Sequence, residues 1–324
     1  TLYRRKQNAK FPGKRIMASS ETLEGLAQQV SGLPHILLVD TSILGTSYLR
    51  VVYNRHRYRN VDIGELRKEQ ERAATLESMF RRPNVYTVRG VVEELQQESE
   101  LWRERLRFFN SWERDKKHAP IEYPIEKKFA EELAFLQLNA TRAARHAIYN
   151  PKETELYARI YGAVQELSQR LRLKERKQTF QTNIVEREKR SVDHGTDEAL
   201  IALGLYLSLA EELPSSIVSE DHDLVWLLAT CVDVLTATQY LPFSPVMRAR
   251  LHRFPCQLYL GNHQRGRFDL AFDTDKKAPH RLPGNWQIPF GELQGEIYCL
   301  LRHAFKPVAD FRPSERTVAT PLAV

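Results

Sequence analysis

Ile36-Leu37-Leu38-Val39-Asp40-Thr41-Ser42 joins a run of apolar residues to one carboxylate and two hydroxyl groups. A short continuous apolar run is typical of a strand that is buried on both faces of a parallel sheet. A carboxylate directly after such a strand lies at the carboxyl edge of the sheet, where ligands bind in open α/β folds. We therefore take Asp40 as the first candidate site residue.

A second stretch repeats this arrangement. Ile217-Val218-Ser219 is a short strand candidate, and Glu220, Asp221 and Asp223 follow it. Between the two stretches, further acids stand at or near the starts of apolar helices, in Val91-Val92-Glu93-Glu94-Leu95 and in Asp193-His194-Gly195-Thr196-Asp197-Glu198. Because carboxylates are too hydrophilic to be gathered in one cleft without a cation, the pattern predicts a cation site.

The composition predicts a globular chain without a membrane span. Its 324 residues, 42% apolar and 27% charged, suffice for one large domain or for one domain with extensions. The longest apolar stretch, residues 199–210, is shorter than the ~20 residues that cross a bilayer. The basic, polar amino terminus predicts no signal peptide. The cysteines have no metal-type spacing, so we expect buried free thiols in a reducing compartment, the cytoplasm, at Cys231, Cys256 and Cys299.

The net charge favours a polyanionic partner. It is +7, with an isoelectric point near 9.2, and the basic residues are clustered rather than spread evenly. The same clusters could also be ordinary solvated faces. The candidates for contacts with nucleic-acid phosphates are Arg55, Arg57, Arg59, Lys189 and Arg190.

Strands and helices alternate along the chain, which predicts an α/β domain with a parallel sheet. We expect residues 224–236 to form a short helix followed by a strand at 232–235, although the same residues could form one longer helix. Further strands are predicted at 35–40, 85–88, 215–219 and 257–260. Helices are predicted at 21–30, 64–80, 90–112, 125–148, 151–171, 197–213 and 291–303.

The predicted organisation has three parts. Residues 1–34 form a basic leader with one short helix, and residues 35–240 form the α/β domain. A helical insertion at about 100–175 lies within that domain. Residues 241–324 form a C-terminal extension, and the insertion or the extension could contact a protein partner.

The acids suit hard metal ions. Phosphodiester hydrolysis by two metals requires carboxylates that hold the ions ~3.5–4 Å apart. Mg²⁺ and Mn²⁺ prefer oxygen ligands, whereas zinc sites usually include histidine or cysteine. A set of carboxylates without such partners therefore predicts Mg²⁺ or Mn²⁺.

Four blocks resemble the PIN-domain nucleases, in the order in which that family has them. They are Val39-Asp40-Thr41-Ser42, Val91-x-x-Glu94-Leu95, Asp197 with Leu200-Ile201-Ala202, and Val218-Ser219-Glu220-Asp221-His222-Asp223-Leu224. The last block is also similar to the NYN branch, where a strand ends in Ser-x-Asp-x-Asp. The resemblance covers about residues 35–100 and 180–240.

This resemblance implies a PIN-like parallel-sheet sandwich with helices on both faces. It implies catalytic metal ligands at Asp40, Glu94, Asp197 and Asp221, and a fifth ligand at Asp223. Ser42 and Ser219 would be supporting residues.

Neighbouring residues compete for some of these roles. Glu93 competes with Glu94, but the family motif places the acid directly before the apolar Leu95. Asp193 competes with Asp197, which opens the helix that leads towards the next strand. His194 and His222 could contact phosphate or assist a leaving group, or could be exposed loop residues.

Each acid also has a purely structural interpretation. Asp40 could cap a turn, and Glu94 or Asp197 could simply complement a helix dipole. Taken together and in order, the residues favour a metal-dependent nuclease, by resemblance an endoribonuclease. The alternatives are a catalytically silent scaffold that binds RNA or a protein assembly, and a structure-specific DNA nuclease.

Overall fold

A computed structural model describes residues 22–31, 33–44, 63–97, 100, 123–179, 195–237, 241–262, 267–275 and 290–310. Parts of the expected leader, insertion and extension lie outside these ranges. Seven of the predicted site residues also lie outside them: Arg55, Arg57, Arg59, Lys189, Arg190, Asp193 and His194.

The described strands form one sheet in the order β2-β1-β3-β4-β5. β1 pairs in parallel with both β2 and β3, and β3 pairs in parallel with β4. β5 is antiparallel to β4. The predicted α/β class with a mostly parallel sheet is therefore confirmed. The strands are β1 Ile36–Val39, β2 Val85–Tyr86, β3 Ser215–Ser219, β4 Cys256–Asn262 and β5 Arg267–Asp273.

Every residue of β1 and of β3 is buried. Because side chains alternate between the two faces of a strand, both faces of the sheet are covered at its centre. The described helices are α1 Leu23–Val30, α2 Ile63–Phe80, α3 at 89–97, α4 Tyr123–His146, α5 Thr154–Thr179, α6 Thr196–Tyr206, α7 Asp223–Thr236, α8 Ser244–Arg253 and α9 Phe290–Asp310.

α6 is the central helix. Every residue from Leu200 to Tyr206 is buried, as expected for a helix that is apolar all round and surrounded by other elements. It continues as a π-helix at Leu207–Glu211. The helix predicted within the leader is α1, whose apolar face joins the same core through Leu23, Leu26, Ala27 and Val30.

The strand predicted at residues 232–235 is wrong, because residues 223–236 form the single helix α7. Its buried residues recur at steps of three and four, which is the helical period. They include Leu224, Leu227, Leu228, Cys231 and Leu235.

The helix predicted to start at Asn150-Pro151 begins later, at Thr154. The N–H of Lys152 donates to the Glu211 carboxylate at 3.2 Å, and the N–H of Glu153 donates to the Tyr206 hydroxyl at 2.8 Å. In a helix that began at residue 151, these two N–H groups would lie in the first turn and would have no partner within the helix. Here Tyr206 and Glu211 accept them instead.

The region after residue 240 contributes more structure than predicted. β4 and β5 complete the sheet, and α8 precedes them. Only one strand and one helix were expected here. Cys231 and Cys256 are buried free thiols as predicted, whereas Cys299 is free but exposed. None of the described helices combines the length and the apolar content needed to cross a membrane.

A buried polar chain crosses the sheet near the amino ends of β3 and β4. The ring Nε2 of His35 lies 2.8 Å from the Ser216 hydroxyl, which donates to Oε1 of Gln257 at 3.4 Å. The Gln257 amide donates to Asp273 at 3.1 Å. Burial lowers the pKa of His35 to about 4, because a charged imidazolium is poorly solvated there.

This low pKa predicts a specific acid sensitivity. Between pH 6.5 and pH 4 the unfolded chain protonates His35 while the folded chain does not, so stability falls as the pH falls. One pKa unit corresponds to 1.36 kcal/mol. Acidification from pH 7 to pH 5 should therefore lower the free energy of unfolding of the wild type by about 2 kcal/mol more than that of His35→Gln. Urea denaturation at both pH values measures this difference, and parallel losses in the two proteins would contradict it.

Candidate functional site

The sheet topology places a crevice between β1 and β3. The chain leaves β1 towards β2 on one side and leaves β3 towards β4 on the other side. In open parallel sheets, ligands bind outside the carboxyl ends of strands at such a switch point. Asp40 follows β1 and Asp221 follows β3 after one residue, so the topology brings both acids to this crevice.

Asp40 is a buried carboxylate that is held by hydroxyl groups. Its side chain is 3% exposed. Oδ2 accepts hydrogen bonds from the hydroxyls of Ser42 at 2.5 Å and Ser219 at 2.6 Å. Oδ1 lies 3.3 Å from the Thr41 hydroxyl. Bonds from hydroxyls to a charged acceptor are short and strong, so they fix the orientation of this carboxylate.

The same serines tie the two strand ends together. The Ser42 hydroxyl accepts the N–H of Glu220 at 2.8 Å, and the Ser219 hydroxyl accepts the N–H of Asp221 at 2.9 Å. Each serine therefore connects the Asp40 carboxylate to the loop after β3. Both were predicted as supporting residues, and the structure brings both to Asp40.

The pKa of Asp40 is raised, first by burial and further by the charge of Asp221. Hydrogen bonds from Ser219, Ser42 and the backbone of Thr41 oppose this rise. The repulsion between Asp40 and Asp221 shows that the two carboxylates share one electrostatic environment. A cation bound by these carboxylates would favour their charged forms and so oppose the rise in the pKa of Asp40.

Glu94 joins this group through threonines. It lies in α3, after β2, and its Oε2 accepts a hydrogen bond from the Thr41 hydroxyl. Its Oε1 accepts one from the Thr196 hydroxyl at 2.5 Å. Glu93 instead forms a surface ion pair with Arg89 at 2.9 Å. Of the two competing residues, Glu94 is the one that the structure connects to the end of β1.

The remaining acids lie at the edge of this group. Asp197 is half-buried in the first turn of α6, directly after Thr196. Asp221 is half-buried, and its Oδ1 accepts the N–H of Asp223 at 2.9 Å, so it also caps the start of α7. Asp223 and His222 are exposed.

Among the described residues, no three acidic, histidine or cysteine side chains lie close enough together to hold one metal ion. Hydroxyl groups connect the carboxylates instead. The donors are oxygen atoms alone, which is the ligand chemistry of Mg²⁺ and Mn²⁺. The residue types therefore fit such an ion, although the geometry brings no three of them together, and Asp40, Glu94 and Asp221 are the acids at this end of the sheet.

The sequence interpretation assigned no role to Thr41, Thr196 or Gly90. Each threonine stands next to a predicted acid, Asp40 or Asp197. That adjacency was the only available signal, because a threonine beside an acid is common on any protein surface. Its partner, Glu94, is distant in sequence and became evident only from the fold.

Comparison of the chain with protein-family models, with curated proteins and with solved structures gave no match. The resemblance to PIN-domain nucleases therefore stays a prediction from the sequence. What can be concluded about function comes from the chain's own residues and their arrangement.

We expect Asp40→Asn to stabilise the metal-free protein at neutral pH. The raised pKa means that the folded state holds the Asp40 proton more tightly than the unfolded state does. Stability is therefore lost as the pH rises through the folded pKa, and it stays low at pH 7. Asparagine removes the charge and keeps one acceptor oxygen for the hydroxyls of Ser42 and Ser219. Thermal melting in EDTA should give the variant the higher melting temperature at pH 7 and a smaller advantage near pH 4.

The matched control is Asp269→Asn, because Asp269 is exposed on β5. That variant should have the same melting temperature as the wild type at both pH values. A lower melting temperature for Asp40→Asn at pH 7 would show that the carboxylate stabilises the fold rather than weakening it.

Proposed function

We propose that this chain is a Mg²⁺- or Mn²⁺-dependent nuclease with a PIN-like fold, acting on RNA. The observation that carries the proposal is the buried Asp40 carboxylate at the β1–β3 switch point. It is coupled to Asp221 and connected to Glu94 through Thr41. Three neighbouring strands of the sheet thus deliver one acid each, directly or through the following helix or loop.

This arrangement is costly for stability, and the cost supports a functional interpretation. A buried carboxylate with a raised pKa beside a second acid weakens the fold at neutral pH. Ionisable groups with strongly shifted pKa values cluster at functional sites. The hydroxyls of Ser42 and Ser219 hold the Asp40 carboxylate at the sheet edge in one orientation.

The proposed ligands are Asp40, Glu94 and Asp221, with Asp197 and Asp223 at the edge of the site. A bound Mg²⁺ or Mn²⁺ ion would lower the pKa of water and neutralise charge on the scissile phosphate. The protein residues would orient the ligands, and the buried residues Thr41, Thr196 and Ser219 would exclude bulk water from the inner carboxylate. The product ends would be a phosphate and a hydroxyl, as in any phosphodiester hydrolysis.

The preference for RNA comes from the resemblance to PIN-domain nucleases. The net charge of +7 supports a polyanionic substrate of either kind, because positive charge attracts phosphate backbones. The predicted contacts at Arg55, Arg57, Arg59, Lys189 and Arg190 belong to the same proposal.

One observation favours a second candidate function. Hydroxyls donate to Oδ2 of Asp40 and to both carboxylate oxygens of Glu94. These bonds allow the acids to be buried without an ion, as a catalytically silent RNA-binding or assembly scaffold would require.

Cleavage assays separate these functions. The wild type should cut labelled single-stranded RNA with Mn²⁺ or Mg²⁺ and should be inactive in EDTA. Removing a partner of a metal ligand costs about 10–100-fold in affinity or activity, so Asp40→Asn and Asp221→Asn should each lose at least about 100-fold. Asp233→Asn is the matched control, because Asp233 is exposed near the far end of α7.

Different results identify the alternatives. RNA binding without turnover in any divalent metal would favour the scaffold. Faster cutting of branched DNA than of RNA would favour the structure-specific DNA nuclease. Equal cleavage by wild type, Asp40→Asn and Asp221→Asn would show that the named acids are not the site.

A further inference from the structure

We propose that Thr196 and Gly90 are positioning residues for Glu94, which extends the nuclease function proposed above and rests on it. The Thr196 hydroxyl donates to Oε1 of Glu94 at 2.5 Å, and the Thr41 hydroxyl donates to Oε2. Both oxygens of the carboxylate are therefore held, one from each side. Hydrogen bonds to both oxygens fix the plane of the carboxylate.

Gly90 makes this contact possible. It precedes Glu94 by four residues in α3, so the two residues lie on the same face of the helix. A Cβ atom at Gly90 would lie 2.5 Å from Oγ1 of Thr196 and 3.2 Å from its Cα and Cβ atoms. Any side chain at position 90 would therefore push Thr196 away from the carboxylate that it orients.

The first turn of α6 also packs against α5, on which Tyr161 and Ser168 lie. Gly195 caps this turn with a φ of 60°, and a Cβ there would lie 2.6 Å from the Tyr161 hydroxyl of α5. On the same side, Ser168 of α5 donates to the buried carboxylate of Glu198. Thr196 therefore contacts α3, while its neighbours Gly195 and Glu198 contact α5.

This packing gives Thr196 a role that differs from that of Glu94. Thr196 is 5% exposed and acts through Glu94 rather than on the substrate. Hydrogen-bond partners of metal ligands hold those ligands in the binding geometry, and losing one typically weakens metal affinity or activity by about 10–100-fold. Thr196→Val removes the hydroxyl and keeps the shape, whereas Gly90→Ala keeps the hydroxyl and displaces it.

The test is Mn²⁺ binding to the full chain, measured by electron paramagnetic resonance without RNA. Thr196→Val and Gly90→Ala should each weaken Mn²⁺ binding by about 10–100-fold, and Thr196→Ser should restore it to within about threefold of wild type. In cleavage assays the loss should be largest at limiting Mn²⁺ and should shrink as Mn²⁺ is raised, with KM for RNA unchanged.

Two substitutions match the chemistry without touching the site. Gly162→Ala is also a helical glycine-to-alanine change, and a Cβ there meets no atom within 4 Å. Thr230→Val removes a buried hydroxyl that donates within α7 to the Trp226 carbonyl at 2.8 Å. Both controls should bind Mn²⁺ like wild type. Melting curves in EDTA show whether each variant is folded, and if Thr196→Val unfolds, Gly90→Ala and Thr196→Ser still decide the result.

The outcomes separate this proposal from the function on which it rests. Unchanged Mn²⁺ affinity in folded Thr196→Val or Gly90→Ala overturns the positioning role and leaves the nuclease intact. Weak Mn²⁺ binding by Thr196→Ser also overturns the positioning role, because serine keeps the hydroxyl group. A wild type that binds no Mn²⁺ overturns the metal-dependent function together with this proposal.

Discussion

The hydrogen bonds to the buried Asp40 carboxylate are the constraint on which the site depends. Ser42, from the turn after β1, and Ser219, the last residue of β3, donate to the same carboxylate oxygen. Their hydroxyls also accept N–H groups from the loop after β3. One carboxylate thus sets the position of two strand ends, and burial raises its pKa. The fold thus keeps a buried carboxyl group with a shifted pKa at this edge of the sheet, and such groups cluster at functional sites.

A chain of polar side chains extends outwards from Asp40. From Asp40 it passes through Thr41 to Glu94, and from Glu94 through Thr196 to the first turn of α6. Each step joins a different element of the fold. The position of Glu94 therefore depends on how closely α3 and α6 approach each other, and that approach requires a glycine at position 90. The acids at the edge, Asp197 and Asp223, are attached to the helices that begin at this end of the sheet.

Local patterns predicted most elements near the site, because those elements have strong local signals. The apolar run of β1, the strand β3 and the helical period of α2 all appear where they were expected. Predictions failed where tertiary contacts compete with local preference. The start of α5 moved because Tyr206 and Glu211 supply its N–H groups with acceptors. β5 was missed although Phe268, Leu270 and Phe272 recur at every second position, which is the period of a strand.

The sequence by itself determined the α/β class, the acids that follow β1 and β3, and the oxygen-only chemistry of the candidate ligands. These follow from residue type and local order, since an apolar run and its terminal carboxylate are adjacent in the chain. Only the tertiary structure decided that Glu94 rather than Glu93 meets Thr41, and that Thr196 and Gly90 belong to the site. Such contacts join residues 53 and 102 positions apart, and their geometry depends on how helices pack over the sheet, which local periodicity does not encode.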